Sequence, residues 1–206
     1  MGWRRHSHLL IVLAAVVVGG AVAFAGSWIH YGGPPPALMR LLVQTRLGDQ
    51  LLQAALRHQQ PAAPKGTTML GKGDRLPALA FTGADGRRYR LDQWHGKTVL
   101  INFWATWCQP CRREMPHLIA AQKRLAGSVQ IVGIALDTPQ AVHAFLATHP
   151  LNYPVLLGGT GNSALSARFG DTMGALPFSV LVAPDGRIKA THYGPLVAVQ
   201  LHWWLD

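Results

Sequence analysis

Cysteine is scarce in this chain: there are two in 206 residues, and both lie in Trp107-Cys108-Gln109-Pro110-Cys111. A structural disulfide framework is excluded, because it needs cysteines distributed along the chain. No third thiol exists to mispair with these two. Acidic residues are also few, nine Asp and Glu against 19 Lys and Arg, which leaves a net charge of +10. The basic excess is spread thinly. Residues 1–61 carry five Arg against the single acid Asp49, and no run of five or six basic residues occurs anywhere. No basic stretch is interleaved with aromatics either, so nucleic acid is excluded as a partner. What remains is a basic surface suited to an anionic bilayer or to an acidic partner protein. Internal repeats are absent, and low complexity is confined to short Pro/Ala/Gly stretches.

One long apolar run is present. Residues 9–29 hold no charged side chain and follow Arg4 and Arg5. At about 1.5 Å per residue, this run matches a bilayer core of about 30 Å. The arginine pair favours the cytoplasmic side, so the remainder is expected to be exported. Trp28 and Tyr31 stand where an interfacial aromatic belt would lie. A cleaved signal peptide, with Ala23-Phe24-Ala25 as its processing site, competes with the anchor reading and leads to the same compartment. The expected organisation is a transmembrane signal anchor over 1–31, a linker with a helical segment over 32–66, and one catalytic domain over 67–206. Gly32-Gly33-Pro34-Pro35-Pro36 favours a stiff, extended break. Residues 37–59 read as helical, although their apolar residues form no single stripe. A spacer, a membrane-surface helix and a packing element all remain open for it.

From residue 67 the signals alternate. Residues 79–82 read as a short strand, Asp85-Gly86 as a hairpin turn, and Tyr89 falls on the returning strand. Residues 92–95 read as one helical turn. Residues 98–105 are almost continuously apolar, as in a strand buried on both faces. Residues 108–126 read as a helix with Pro116 inside it, and 129–136 as a second apolar strand. Asp137-Thr138-Pro139 opens a helix over 139–148. A strand at 153–157 and a short helix at 162–169 follow. Strands at 178–183 and 187–193 flank the turn Pro184-Asp185-Gly186, and a helix over 197–205 closes the chain. This order predicts an α/β layer arrangement around a mixed sheet.

Thiol–disulfide chemistry needs a thiolate that attacks and a second thiol that resolves the mixed disulfide. A Cys-x-x-Cys pair at a helix start supplies both. Cys108 at the N-terminus gains from free N–H groups and the helix dipole, which lower its pKa and make it the nucleophile. Cys111, one turn further on, is the resolving residue. Zinc ligation would need four ligands, and His117, six residues beyond Cys111, gives an unusual spacing. A purely structural bridge would restrain little of the unfolded chain, because its loop is so small. The other histidines, His95, His143, His149, His192 and His202, are scattered without ligand spacing and read as surface or partly buried. Trp104 reads as core.

The segment Gly96-Lys97-Thr98-Val99-Leu100-Ile101-Asn102-Phe103-Trp104-Ala105-Thr106-Trp107-Cys108-Gln109-Pro110-Cys111-Arg112-Arg113-Glu114-Met115-Pro116 closely resembles the active-site segment of TlpA/ResA-like thioredoxins. The likeness extends over about residues 71–205 and includes Gly71-Lys72-Gly73-Asp74, the Asp85-Gly86 hairpin and Gly174-Ala175-Leu176-Pro177. It implies a thioredoxin-like α/β fold: a central mixed sheet flanked by helices, an N-terminal β-hairpin extension and an N-terminal transmembrane helix. Pro177 matches the cis-proline that faces the active-site disulfide, with the Leu176 backbone placed to pair with an extended substrate. Glu114 matches a glutamate that tunes the cysteines. A half-buried carboxylate three residues after Cys111 would raise a thiol's pKa and move protons. An exposed Glu114 paired with an arginine is the competing possibility. Asn102 stands where cytosolic thioredoxins carry a buried Asp, so Glu114 is the better proton carrier. Trp107 is expected to shield the site and Pro110 to restrict its loop. Gln109-Pro110 sets the redox poise and resembles the Glu-Pro or Gly-Pro of reductants more than the Pro-His of strong oxidants.

The resemblance implies a membrane-tethered oxidoreductase on the periplasmic side of a bacterial inner membrane. It would act as a reductase of disulfides in exported proteins, with many such proteins linked to cytochrome c maturation. The cysteine pair replaces any cofactor, and no metal is expected. Partners would be disulfide-containing exported proteins and a membrane thiol reductant as electron donor. Three alternatives stand beside this. A periplasmic disulfide oxidase would share the site. A thiol peroxidase would need Thr-x-x-Cys, whereas Thr106 is two residues before Cys108. A copper carrier would use Cys-x-x-x-Cys, one residue longer than the spacing here.

Overall fold

The computed structural model describes residues 44–63, 66–160 and 163–206. The apolar run at 9–29, its alternative processing site and the Pro-rich break at 32–36 lie outside them. Among the described residues no helix is long and apolar enough to cross a membrane. The chain divides into two compact units, residues 1–52 and 53–206. Within the described part of the first unit, helix α1 (Arg46–His58) begins. The Thr45 hydroxyl accepts a hydrogen bond from the Gly48 N–H at 3.1 Å and so satisfies one of the free donors of its first turn.

The second unit begins at Gln53, within α1. Two glutamines tie this part of the chain to the sheet. Gln53 is buried, its amide donates to the Tyr193 carbonyl at 3.0 Å, and its oxygen accepts from the Tyr193 N–H at 2.8 Å. The side chain thereby completes the edge of a sheet as a neighbouring strand would. Gln60 accepts from the Thr172 hydroxyl at 3.1 Å and donates to the Tyr193 hydroxyl.

Strands β1 (Ala80–Thr82) and β2 (Arg88–Arg90) form an antiparallel hairpin with Phe81 opposite Tyr89. Its turn is fixed by Asp85, which accepts from the Tyr89 hydroxyl at 2.7 Å and the Arg87 N–H at 3.1 Å. Gly86 takes φ 78°, a conformation that side chains with a Cβ rarely adopt. A 3₁₀ turn at Leu91–Trp94 then leads into the main sheet.

That sheet has five strands in the order β5-β4-β3-β6-β7: β3 Thr98–Trp104, β4 Val129–Ala135, β5 Val155–Leu157, β6 Phe178–Val182 and β7 Ile188–Tyr193. β3 runs parallel to β4 and antiparallel to β6, so the sheet is mixed. Helices α2 (Gln109–Leu125), α3 (Pro139–Thr148), α4 (Ser163–Ala167) and α5 (Ala198–Leu205) flank it. Successive side chains of β3 point to opposite faces. Val99, Ile101 and Phe103 therefore pack with Phe169, Phe178 and Val180, while Leu100 packs with Leu118, Ile131, Leu196 and Leu201. Both faces are buried, which is why the strand is an unbroken apolar run interrupted only by Asn102.

Two element ends and one histidine are among the differences from the sequence reading. β5 begins at Val155, because Pro154 has no N–H to add to the ladder and only its carbonyl is used, by Gly133. The short helix α4 ends at Ala167, and a turn covers 168–170. His192 is 2% exposed, not a surface residue, because β7 turns it inward edge-on to Trp204, with ring centroids 5.5 Å apart. Gly133 is a packing necessity: a Cβ there would lie 3.0 Å from the Trp104 indole nitrogen and 3.4 Å from the Tyr153 ring.

Replacing Gln53 by Ala leaves a buried backbone N–H and C=O of Tyr193 unpaired. The expected loss is about 2 kcal/mol of unfolding free energy. It should be read as a lower urea midpoint at unchanged slope. An unaltered midpoint would show that water replaces the glutamine.

Candidate active site

The site forms at the C-terminal end of β3. Beyond Trp104 the chain turns, and its position there is fixed by Asp137 at the corresponding end of β4. The Asp137 carboxylate accepts from the Thr106 N–H at 3.1 Å, the Thr106 hydroxyl at 2.5 Å and the Thr138 N–H at 2.7 Å. Burial works against its charge, but these three donors outweigh it and hold the carboxyl below its usual range. Asp137 was expected only to open α3. Its larger effect is to hold the turn that leads into the cysteines.

Cys108 and Cys111 are joined by a disulfide, with an S–S distance of 2.02 Å. Cys108 is the N-cap of α2, and its sulfur accepts a hydrogen bond from the Cys111 N–H at 3.2 Å. A thiolate there would face the unpaired amides and positive end of a 17-residue helix that has no acidic residue in its first turn. Pro110 occupies the first turn, where its missing N–H costs nothing. Pro116 sits inside the same helix and so gives no N–H to the Arg112 carbonyl. Both cysteines are buried, at 4% and 1% exposure. Trp107 is 71% exposed and stands outward beside them. Gln109 is exposed and Pro110 half-buried.

The Leu176–Pro177 peptide bond is cis. The register places Phe103 opposite Phe178, so Pro177 lies one step on, across from Trp104 at the strand end that leads to Cys108. Leu176 packs against the cluster containing both cysteines. Among the described residues its backbone N–H and C=O make no hydrogen bond, whereas the Pro177 carbonyl accepts from the Gly194 N–H at 2.9 Å. The preceding turn is held by buried Asp171, which accepts from the Ala175 N–H at 3.0 Å. Burial raises the Asp171 pKa, and the bond to Ala175 opposes that rise.

Glu114 is 1% exposed and, among the described residues, pairs with no arginine. One of its oxygens accepts from the Leu196 N–H at 3.1 Å. The Asn102 amide approaches both oxygens at 3.4 Å and also donates to the Ser179 hydroxyl at 3.1 Å. Burial pushes the Glu114 pKa up to about 8, and the Leu196 and Asn102 bonds pull against that rise. At neutral pH this carboxyl is therefore mostly protonated in the oxidised protein. Tyr153 belongs to the same surroundings. Burial first, and the charge of Glu114 second, raise its phenol above the ordinary range. Cys111 and Glu114, three residues apart, share one helix face. The fold thus brings together Cys108, Cys111, Glu114, Trp107, Gln109, Pro110, Leu176 and Pro177. Sequence reasoning missed Ser179, Tyr153, Asp171 and the Leu196 amide. Among the described residues no cluster of three metal-ligating side chains occurs.

A disulfide at a helix N-terminus beside a cis-proline turn, on a sheet of this topology, defines a thiol–disulfide oxidoreductase of thioredoxin-like fold. Such enzymes use the cysteine pair itself, without a cofactor. The chain belongs to the Redoxin family, which it matches over residues 71–199. It is 29% identical over 143 residues to the thiol-disulfide oxidoreductase ResA of Bacillus subtilis, covering 68% of this chain and 78% of that protein. It is 32% identical over 144 residues to ResA of Geobacillus thermodenitrificans, covering 68% and 79%. Two solved structures are similar. One is a putative thiol:disulfide interchange protein DsbE from Chlorobium tepidum, with TM-score 0.56, 29% identity, and 64% and 91% of the two chains covered. The other is a thioredoxin-related protein from Neisseria meningitidis serogroup B, with TM-score 0.53, 35% identity, and 59% and 91% covered.

The raised Glu114 pKa makes stability depend on pH. The folded protein holds this proton up to about pH 8, whereas the unfolded chain releases it near 4.5. Between those values the folded state binds more protons, so stability is highest below the unfolded pKa and falls as pH rises through the folded one. Urea unfolding of the oxidised protein should lose roughly 3 to 5 kcal/mol across that window. Glu114→Gln should remove most of that slope and be the more stable protein at the alkaline end. Parallel profiles for the two proteins would mean that the carboxyl ionises as it does in water.

Proposed function

We propose that this protein is a membrane-tethered reductase of disulfides in exported proteins, facing the periplasm of a bacterial inner membrane. The observation that carries the proposal is the pairing of two features. The Cys108 sulfur caps a helix N-terminus, and the backbone groups of Leu176 have no hydrogen-bond partner among the described residues. A substrate strand that pairs with Leu176 would bring its own disulfide to Cys108.

The reaction then runs in two displacements. The Cys108 thiolate attacks one sulfur of the substrate disulfide, forms a mixed disulfide and expels the other substrate sulfur as a thiolate, which takes a proton. Cys111 then loses its proton and attacks the Cys108 sulfur, releasing the second substrate thiol and closing the Cys108–Cys111 disulfide. The substrate gains the two electrons that the enzyme pair loses, its two thiolates take their protons from water, and the Cys111 proton passes to the Glu114 carboxylate. Glu114 serves as the proton station for Cys111. Protonated in the oxidised protein, it gives its proton to the Cys111 sulfur when a donor reopens the disulfide, and its carboxylate takes that proton back when Cys111 attacks. Reopening needs a thiol donor, and a membrane thiol reductant fits that requirement.

The apolar run at 9–29 behind Arg4 and Arg5 supports tethering and export. The Gln109-Pro110 dipeptide supports the reducing direction, and the similarity to ResA and DsbE supports thiol–disulfide exchange. Apocytochrome c is the substrate class we favour, on the resemblance to the TlpA/ResA-like proteins.

Equilibration of the full chain with defined glutathione buffers should give a reduction potential near or below about −220 mV. Cys111→Ser should accumulate mixed disulfides through Cys108, and Cys108→Ser none. A potential near about −120 mV would make the protein a disulfide donor and overturn the reductase reading.

A further inference from the structure

A groove of about 490 Å³ lies between α2 and α3. Its walls include Gln109, the residue next to Cys108, and Arg112, Arg113, Phe145, His149 and Leu151. Its cationic side is ordered. The Arg112 guanidinium lies 5.7 Å over the Phe145 ring, and Phe145 stacks on His149 at 4.4 Å with planes 7° apart. The His149 ring is held by the Thr148 hydroxyl at 2.8 Å.

Neither Arg112 nor Arg113 has an acidic partner among the described residues, although both are exposed. The few acids of the chain are engaged elsewhere. Asp92 pairs with Arg90, Asp185 with Arg187, and Asp206 with Arg124 and His202. Asp85 holds the hairpin and Asp74 the Gly71 N–H. Asp49, Glu114, Asp137 and Asp171 are buried. Two guanidinium groups without an acidic partner among the described residues therefore line an apolar groove that reaches the residue next to Cys108.

We propose that this groove is a specificity subsite for the substrate protein. It takes an acidic segment flanking the attacked cysteine, with an apolar residue seated on Phe145 and Leu151. This rests on the reading of Cys108 as the attacking thiol. An extended chain advances about 3.3 Å per residue and the helix about 1.5 Å, so Arg112 and Arg113 face side chains about two to four residues from that cysteine. Carboxylates there would meet the guanidinium forks in charge-assisted bonds. The opposite charge would also speed encounter.

The test uses the reduced full chain and two disulfide peptides identical except for their flanks. One carries Glu-Leu-Glu on both sides of its cysteine pair, the other Lys-Leu-Lys. Single-turnover reduction is followed by tryptophan fluorescence, and the readout is the acidic-to-basic rate ratio. At low salt the ratio should be about tenfold, falling towards one above about 0.3 M salt. Arg112→Gln/Arg113→Gln should collapse the ratio, and Arg113→Glu should invert it. Lys72→Gln/Lys189→Gln makes the same charge change at exposed positions outside the groove and should keep the ratio. A wild-type ratio within about twofold of one, or a ratio that survives loss of both arginines, overturns the subsite. Failure to reduce either peptide and a small neutral disulfide would instead overturn the oxidoreductase reading.

Discussion

The structure depends on one strand being dry on both faces. β3 lies between β4 and β6 and has helices and loops against each side, so nearly every residue must be apolar and its register cannot slip. That rigidity is delivered at its C-terminal end, where the chain leaves the sheet and enters α2. The cysteines therefore sit on a rigid base, and Asp137 at the neighbouring strand end fixes the connecting turn through Thr106. A loosely held pair would spend part of its time in geometries where displacement at sulfur cannot occur. The one polar residue beyond the strand's first position, Asn102, falls on the α2 side and binds Glu114 and Ser179.

Glu114 is the costly part of this arrangement. A carboxyl in so dry a place raises its own pKa to about 8 and makes the folded protein less stable as pH rises. An apolar residue would pack there without that penalty. Two donors limit the cost: the Asn102 amide from the sheet and the Leu196 N–H from the segment before α5. Neither is charged, so the group is solvated enough to ionise yet not enough to remain ionised at neutral pH. That intermediate state suits a proton station beside a thiol, because a fully ionised or fully neutral carboxyl could move the proton in one direction only.

Local chemistry was legible in the sequence and tertiary closure was not. Thr98 to Trp104 announced a doubly buried strand by its apolar run, and Thr138-Pro139 announced the start of α3. The cysteine spacing announced the site. Glu114 could be located by its distance from Cys111, but its burial depends on Leu196, 82 residues away, and no local pattern records that. Gln53 was hidden for a similar reason. A glutamine in a helix of mixed polarity reads as solvent-facing until a strand edge 140 residues on takes both its amide groups. Nothing local marks Tyr153 or Asp171, since burial of a polar group is a property of the packed fold and not of its neighbours in sequence.

The Leu176 backbone and the groove between α2 and α3 would divide the work of recognition. Leu176 would offer a substrate its backbone groups, and a backbone ladder accepts almost any extended chain. A thiol–disulfide oxidoreductase with several clients would need that tolerance, but tolerance alone would let it act on structural disulfides indiscriminately. Selection would then come from side chains of the groove, where they meet the substrate without touching the reacting sulfurs. Arg112 and Arg113 are suited to this, because opposite charge governs which partners arrive and in what register more than how tightly they are held. Weak holding is also what turnover requires, since the reduced product must leave before the Cys108–Cys111 disulfide can be reopened.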